Sequence, residues 1–133
     1  MTLADPAQPL PTVEDPAALR LGVEQFNSGH YFECHDTLEE IWSGTRGPAR
    51  DFLQGLIQVA VAYHHLSNGN DGGARSLFER ALKRLEGYGP SYLDVDLDGV
   101  RAEARDALAR LECGDPPAAE RPRWRDELTA STR

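Results

Sequence analysis

Cysteine is scarce in this 133-residue chain, and its scarcity excludes several classes of protein. The two cysteines, Cys34 and Cys113, lie far apart and form no C-x-x-C pair. Such a pattern predicts neither a disulfide framework nor a cysteine zinc site. We therefore expect a reduced, cytoplasmic protein in which Cys34 is a small core residue.

Long apolar runs are also missing from the sequence. The least polar stretch, FLQGLIQVAVAY at residues 52–63, has only twelve residues and includes two glutamines, so it is too short to span a bilayer. The first sixteen residues, MTLADPAQPLPTVEDP, have neither the basic start nor the apolar run of a secretory signal. We expect a soluble protein with no membrane partner.

Basic residues are outnumbered by acidic residues, 14 to 22, which gives a formal net charge of −8. Proteins that bind nucleic acids usually carry a basic patch, because phosphate contacts supply much of their affinity. The basic clusters here, RALKR (80–84) and RPRWR (121–125), are interleaved with or followed by acidic residues. The sequence therefore predicts no nucleic-acid partner.

The central part of the chain, residues 16–112, has the periodicity of helices and no strict strand-like alternation. Residues 1–15 are predicted to form a flexible arm and residues 113–133 a flexible tail, from which Trp124 docks back onto the body. Helix starts and stops are predicted from capping residues and from glycine and proline. The first predicted helix begins at Pro16, with Asp15 as its cap and Gly29 as its stop, and the second spans Tyr31–Ser43. The third runs from Pro48 to about Ser67 and is stopped by Gly69. The fourth is capped by Asn70 or Asp71, and the fifth begins near Asp96 or Asp98 and continues through Leu111.

An internal echo relates the first two helices to the next two at a spacing of forty residues. Gly29 falls on Gly69, Cys34 on Ala74, and Leu38 on Phe78. Such an echo is typical of stacked helical hairpins, although two units are too few for a solenoid. The predicted fold is therefore all-α, with about five helices in two stacked helical hairpins closed by a fifth helix.

Polar residues interrupt the apolar faces of helices 2 and 3. An advance of about 100° per residue places His35, Glu39 and Trp42 on one face of helix 2, with Glu39 one turn after His35. The same projection places Arg50, Gln54 and His64 on one side of helix 3. If the two helices are neighbours, these candidate ligand-binding side chains are predicted to converge.

Three interpretations of this cluster stay open. In the structural one, His35 and Glu39 bond each other and fix helix packing, Trp42 packs in the core, and Gly55 admits another helix, with Trp42 as the candidate occupant. In the second, Arg50 and a protonated imidazole hold a small anion. In the third, a divalent transition metal is bound by His35, Glu39 and His64. No other cofactor is expected.

The sequence resembles the DUF309 family of small helical proteins from bacteria and archaea. The resemblance rests on GHYFECHDTLEEIW, RDFLQGLIQVAVAYHHLSNGNDGGA and LFERALKRL, within a region from about Leu19 to Leu111. It implies an all-α bundle of about five helices and no established activity. The characteristic polar residues of the family correspond here to His35, Glu39, Trp42, Arg50, Gln54, Gly55 and His64.

The sequence contains no G-x-S-x-G motif, no Walker or Rossmann glycine loop and no H-E-x-x-H motif, so enzyme activity is left open. The leading interpretation is a protein that binds a small ligand, an anion or a protein partner through the helix 2–helix 3 cluster. The alternative is a metal-assisted or general-base hydrolase that uses His35, Glu39 and His64. A homodimer also stays open.

Overall fold

A computed structural model describes residues 11–115 and 122–125 of the chain. Within these ranges the all-α prediction is confirmed, with five helices and one small ribbon. The rest of the two predicted arms, residues 1–10, 116–121 and 126–133, lies outside the described residues. The elements are α1 (Pro16–Asn27), α2 (Tyr31–Ser43), α3 (Pro48–Ser67), α4 (Asp71–Leu85), β1 (Ser91–Tyr92), β2 (Val95–Asp96) and α5 (Leu97–Cys113).

Side-chain caps start three of the helices at the positions that the sequence predicts. Asp15 caps α1, Asn70 caps α4 and Asp96 caps α5. Each side-chain oxygen accepts a backbone N–H from two or three residues further on, at 3.0 Å. These contacts satisfy N–H groups that have no partner within the helix. The sequence left two helix starts undecided, between Asn70 and Asp71 for α4 and between Asp96 and Asp98 for α5. The structure has Asn70 and Asp96 as the N-caps.

The forty-residue echo is present in the turns that end α1 and α3. Gly29 and Gly69 both adopt a left-handed conformation, with φ of 81° and 76°, which glycine reaches without steric cost. The residue after each glycine donates its backbone N–H to the carbonyl oxygen five residues earlier, His30 to Gln25 at 2.9 Å and Asn70 to His65 at 2.8 Å. The same helix-ending hydrogen bond therefore closes both helices before the chain reverses.

The helices pack in chain order, with α3 at the centre between α2 and α4. Ten of the 20 residues of α3 are buried, whereas the shorter outer helices bury one face each. α5 packs mainly against α4. No helix in the described ranges is both long enough and apolar enough to cross a membrane.

Gly55 marks a close approach between helices, as predicted, but Trp42 is not its neighbour. A Cβ atom at position 55 would lie 2.5 Å from Cδ2 of Leu85, which is 1% exposed. The predicted occupant was therefore wrong. Leu85 enters from α4, on the opposite side of α3 from α2, to which Trp42 belongs.

The ribbon of β1 and β2 is a feature that sequence periodicity missed. Tyr92 pairs with Val95 across a two-residue turn, and the turn residues Leu93 and Asp94 have φ of 49° and 66°. Two successive positive φ values are typical of the tight turns that suit the twist of a hairpin. Strands of two residues are too short to show alternation.

Arg101, at the start of α5, forms hydrogen bonds with the end of α4 and with the loop before the ribbon. Its side chain is only 8% exposed. The guanidinium donates to the carbonyl oxygens of Leu85 (2.9 Å), Tyr88 (3.2 Å) and Gly89 (2.8 Å), and to Oδ1 of Asp98 (3.0 Å). These charge-assisted bonds join α5 to the carbonyl oxygens of the last residue of α4 and of the loop that follows it.

Residues 122–125 lie across the bundle and confirm that Trp124 docks on the body. Trp124 is 2% exposed, and its ring stacks on Phe26 with centroids 3.8 Å apart and planes at 7°. The Asn27 side chain donates to the Trp124 carbonyl oxygen (2.9 Å) and accepts its backbone N–H (2.7 Å). The Asp96 backbone N–H donates to the carbonyl oxygen of Arg125 at 2.9 Å.

Candidate functional site

His35 and Glu39 form a pair on α2, as their one-turn spacing predicts. His35 Nε2 lies 3.2 Å from Glu39 Oε2, and the two side chains are 24% and 44% exposed. His35 Nδ1 lies 3.3 Å from Asp36 Oδ1. That second contact is electrostatic only, because Nδ1 is buried and has no hydrogen-bond partner within the described part of the chain.

Two carboxylates therefore flank the His35 ring. A general base needs a ring nitrogen within reach of the proton that it removes. Here Nε2 faces Glu39, and Nδ1 is covered beside Asp36. This arrangement is that of a histidine paired with a carboxylate one turn away on the same helix.

Trp42, Arg50 and Gln54 come together at the turn between α2 and α3. The Arg50 guanidinium carbon lies 3.7 Å from the Trp42 ring centroid. Its Nη1 donates to the carbonyl oxygens of Trp42 (3.2 Å) and Thr45 (3.0 Å), at the end of α2. With Gln54 and Arg84, the pair lines an open cleft of about 590 Å³. We call this the Arg50 cleft.

His64 lies near the other end of α3 and apart from the Arg50 cleft. The Phe32 ring neighbours both His64 and His35, with centroid distances of 5.6 Å to each. Within residues 11–115 and 122–125, no group of three or more His, Cys, Asp or Glu side chains is arranged to hold a metal ion. The predicted metal set of His35, Glu39 and His64 is thus not assembled among the described residues, and His64 lies at the opposite end of α3 from Arg50.

A cavity of about 540 Å³ lies on the side of the bundle where α5 passes the end of α3. Its wall, as formed by the described residues, is mostly apolar and includes a few carboxylates and the Arg110 guanidinium. We call it the α3–α5 cavity. It is lined by Tyr31, Tyr63, Leu66, Ser67, Asp71, Ala102, Glu103, Asp106, Ala107, Arg110, Leu111, Asp115 and Pro122.

Two tyrosine rings form the aromatic part of this wall. The rings of Tyr31 and Tyr63 lie 5.6 Å apart with planes at 29°. Tyr63 is 8% exposed, and its hydroxyl donates to the Glu103 carbonyl oxygen at 3.4 Å. Burial raises the pKa of the Tyr63 phenol, and electrostatic interactions with Glu103, Tyr31 and Asp106 raise it further. The phenol therefore stays protonated at neutral pH and lies in a negative potential.

The Glu103 carboxylate joins the cavity wall to the segment 122–125. Its Oε2 accepts the backbone N–H of Arg123 at 2.9 Å, whereas Oε1 is buried with no hydrogen-bond partner among the described residues. Burial raises the pKa of Glu103, although the Arg123 N–H bond opposes that shift. An unpartnered buried carboxylate oxygen is costly, so Glu103 carries a penalty that protonation relieves.

Sequence reasoning missed this cavity, although part of its pattern is visible. Glu103, Asp106 and Arg110 recur three and four residues apart on α5, so they share a face beside the apolar stripe of Ala107 and Leu111. The periodicity does not show that this face meets Tyr63. That meeting depends on how α5 packs over the end of α3.

Cys34 is the small core residue that the sequence predicts. Its thiol is fully buried, and burial raises its pKa well above the ordinary value despite a hydrogen bond with the Phe26 backbone. A reactive cysteine requires an accessible thiolate. The structure therefore places no sensor thiol at Cys34, whereas Cys113 is exposed.

Comparison with known proteins shows what the central helices resemble. Residues 19–77 match the family described as "Domain of unknown function (DUF309)". Over this segment, which is less than half of the 133 residues, the chain is similar to that family. The segment includes all the predicted site residues from His35 to His64, and it ends within α4. The DUF309 match thus stops well before Leu111, and the α5 wall of the cavity lies outside it.

Two relatives share this similarity. The chain is 27% identical over 93 residues to an "Uncharacterized protein" of Aquifex aeolicus (strain VF5), covering 69% of this chain and 28% of that protein. It is 35% identical over 80 residues to "Uncharacterized protein YpuF" of Bacillus subtilis (strain 168), covering 59% of this chain and 46% of that protein. The chain therefore spans less than half the length of either relative.

Proposed function

We propose that the protein binds a small molecule in the α3–α5 cavity. The observation that carries this proposal is a concave, partly open volume of about 540 Å³ with a mostly apolar wall and a few polar groups. Small-molecule sites commonly occupy roughly 300–1,000 Å³ and have this mixture of lining groups. By comparison, the Arg50 cleft is more open, and its wall is about equally polar and apolar.

Nuclear magnetic resonance of the ¹⁵N-labelled full chain tests the proposal with 2-phenylethanol, a neutral probe with one ring and one hydroxyl. We expect saturable shifts of the amides of Tyr63, Leu66 and Ala107. The variant Ala107→Trp, which fills the cavity from α5, should abolish them. Ala17→Trp, which adds the same side chain at an exposed position of α1, should not. If neither this probe nor its amine analogue, 2-phenylethylamine, produces saturable shifts in the unaltered chain, the proposal is overturned.

The Arg50 cleft supports a second candidate function, the binding of a small anion. The specific observation is that the Arg50 guanidinium lies over Trp42 in a cleft that also contains Gln54 and Arg84. An oriented guanidinium is suited to bind a carboxylate or a phosphate. Titration with inorganic phosphate should shift the Gln54 side-chain amide. Arg50→Gln should remove the shift and Arg46→Gln, at an exposed neighbour, should keep it; a shift that survives Arg50→Gln contradicts this function.

A further inference from the structure

We infer that the ligand of the α3–α5 cavity is a small organic cation, an amine attached to an apolar body. The inference rests on the proposed function and specifies its ligand class. It is supported by the charge of the described lining residues, by the tyrosines of the wall and by the position of the Arg110 guanidinium.

The described residues that line the cavity are more often acidic than basic. Among the described residues, the wall contains the carboxylates of Asp71, Glu103, Asp106 and Asp115, and the guanidinium of Arg110. Arg110 Nε lies 3.0 Å from Asp106 Oδ2, one turn earlier on the same helix. The Arg110 side chain is thus held against a carboxylate, and acidic groups outnumber basic groups among the described lining residues.

The aromatic and aliphatic residues of the wall suit the apolar body of such a ligand. The side chains of Tyr31 and Tyr63 line the cavity, and an aromatic ring attracts a cation that lies within about 6 Å of its centroid. The negative charges that raise the pKa of Tyr63 show the same sign of potential at this wall. Leu66, Ala107 and Leu111 supply apolar contact for the rest of a ligand. An anion of the same shape would meet the carboxylates without a compensating partner.

The whole chain adds to this preference. Its formal net charge of −8 attracts cations and repels anions before contact, and salt screens this attraction over about 10 Å at 0.1 M. An amine is therefore expected to bind best at low ionic strength. Its affinity should depend on salt more steeply than that of a neutral analogue.

The experiment compares three probes of similar shape that differ in charge: 2-phenylethylamine, 2-phenylethanol and 3-phenylpropionate. Each is titrated into the ¹⁵N-labelled full chain at pH 7 and low salt. We expect the amine to bind about ten-fold more tightly than the alcohol, and the carboxylate to bind most weakly. The amine should lose about three-fold in affinity between 20 and 200 mM sodium chloride.

Two variants on different helices test the role of the wall charges. Asp106→Asn on α5 and Asp71→Asn on α4 should each weaken the amine about three-fold or more and leave the alcohol unchanged. The matched control is Glu79→Gln, which removes an exposed charge outside the cavity and should leave both affinities unchanged. Glu103 is not used, because it also holds Arg123.

The outcomes separate this inference from the proposed function. If the alcohol or the carboxylate binds the cavity as tightly as the amine, the cavity binds small molecules but the cation inference is wrong. If no probe shifts the cavity amides, both statements fail. If the amine binds but Asp106→Asn and Asp71→Asn have no effect, the carboxylates do not select the ligand and the inference is overturned.

Discussion

At the scale of single residues, Leu85 determines what position 55 can hold. A methyl group at Gly55 would lie 2.5 Å from Leu85 Cδ2, and Leu85 is buried and has little room to move. Gly55→Ala should therefore destabilise the fold by about 1–3 kcal/mol, despite the better helix propensity of alanine. Gly72→Ala is the matched control, because nothing lies within 4 Å of a Cβ there, and it should be neutral or stabilising by up to about 1 kcal/mol. Urea unfolding measures both; equal effects would contradict the packing argument.

Glu103 should make stability depend on pH. Burial raises its pKa in the folded protein above the ordinary value of 4.5, against the Arg123 N–H bond and the charge of Arg125. The folded state therefore binds its proton more tightly than the unfolded state does. The stabilisation is complete below the unfolded pKa and is lost as pH rises through the folded pKa. The difference in unfolding free energy between the unaltered chain and Glu103→Gln should accordingly fall as pH rises from about 4 to 7, and a difference that rises would show the opposite shift.

The predicted site residues show what a helical wheel can and cannot provide. His35 and Glu39 were correctly paired because one turn separates them along one helix. Arg50 and His64 share a side of α3, but fourteen residues separate them by roughly 21 Å along the axis. A helical wheel shows the angular position of each residue but not its position along the helix axis. Two residues at opposite ends of one helix were therefore assigned to one cluster.

At the scale of elements, the segment 122–125 is held by Trp124. The indole is buried on Phe26, and Asn27 pairs with both backbone groups of Trp124. Trp124→Ala should cost about 3–5 kcal/mol, as is typical of large aromatic truncations. Trp124→Phe retains a ring and the backbone pairing, so it should cost less than half as much. Chemical denaturation followed by circular dichroism measures both, and a loss below 1 kcal/mol for Trp124→Ala would mean that the segment is not part of the folded unit.

Element boundaries were predictable where the signals are local. The caps at Asp15, Asn70 and Asp96 act within three residues of themselves, so the sequence carries the complete signal. The ribbon turn at Leu93 and Asp94 contains no glycine, and its strands are too short for a pattern. The α3–α5 cavity depends on contacts between segments that are distant in sequence, which local patterns do not specify.

At the scale of the whole molecule, the DUF309 match and the cavity overlap only in part. Residues 19–77 contain α2, α3 and most of α1, which supply Tyr31, Tyr63 and Leu66 to the wall. The other side, including Glu103 and Asp106, comes from α5. The matched segment therefore provides the aromatic side of the cavity wall and the Asp71 carboxylate, whereas the Glu103, Asp106 and Asp115 carboxylates of the wall lie outside the match.

The central position of α3 predicts which backbone amides exchange with solvent last. α3 packs on both sides and buries half of its residues, so its amides from Leu56 to Ala62 should exchange with solvent only when the whole chain unfolds. The Trp124 amide is held by a single Asn27 side chain at the surface of the bundle and should open at a lower free energy. Native-state hydrogen exchange in increasing urea measures both values beside the global unfolding free energy from circular dichroism. The α3 values should equal the global value, which for domains of this kind is about 5–15 kcal/mol. If the α3 amides exchange with a free energy below half of the global unfolding free energy, α3 is not the centre of cooperative unfolding. In that case the part of the cavity wall that α3 supplies unfolds independently of the core.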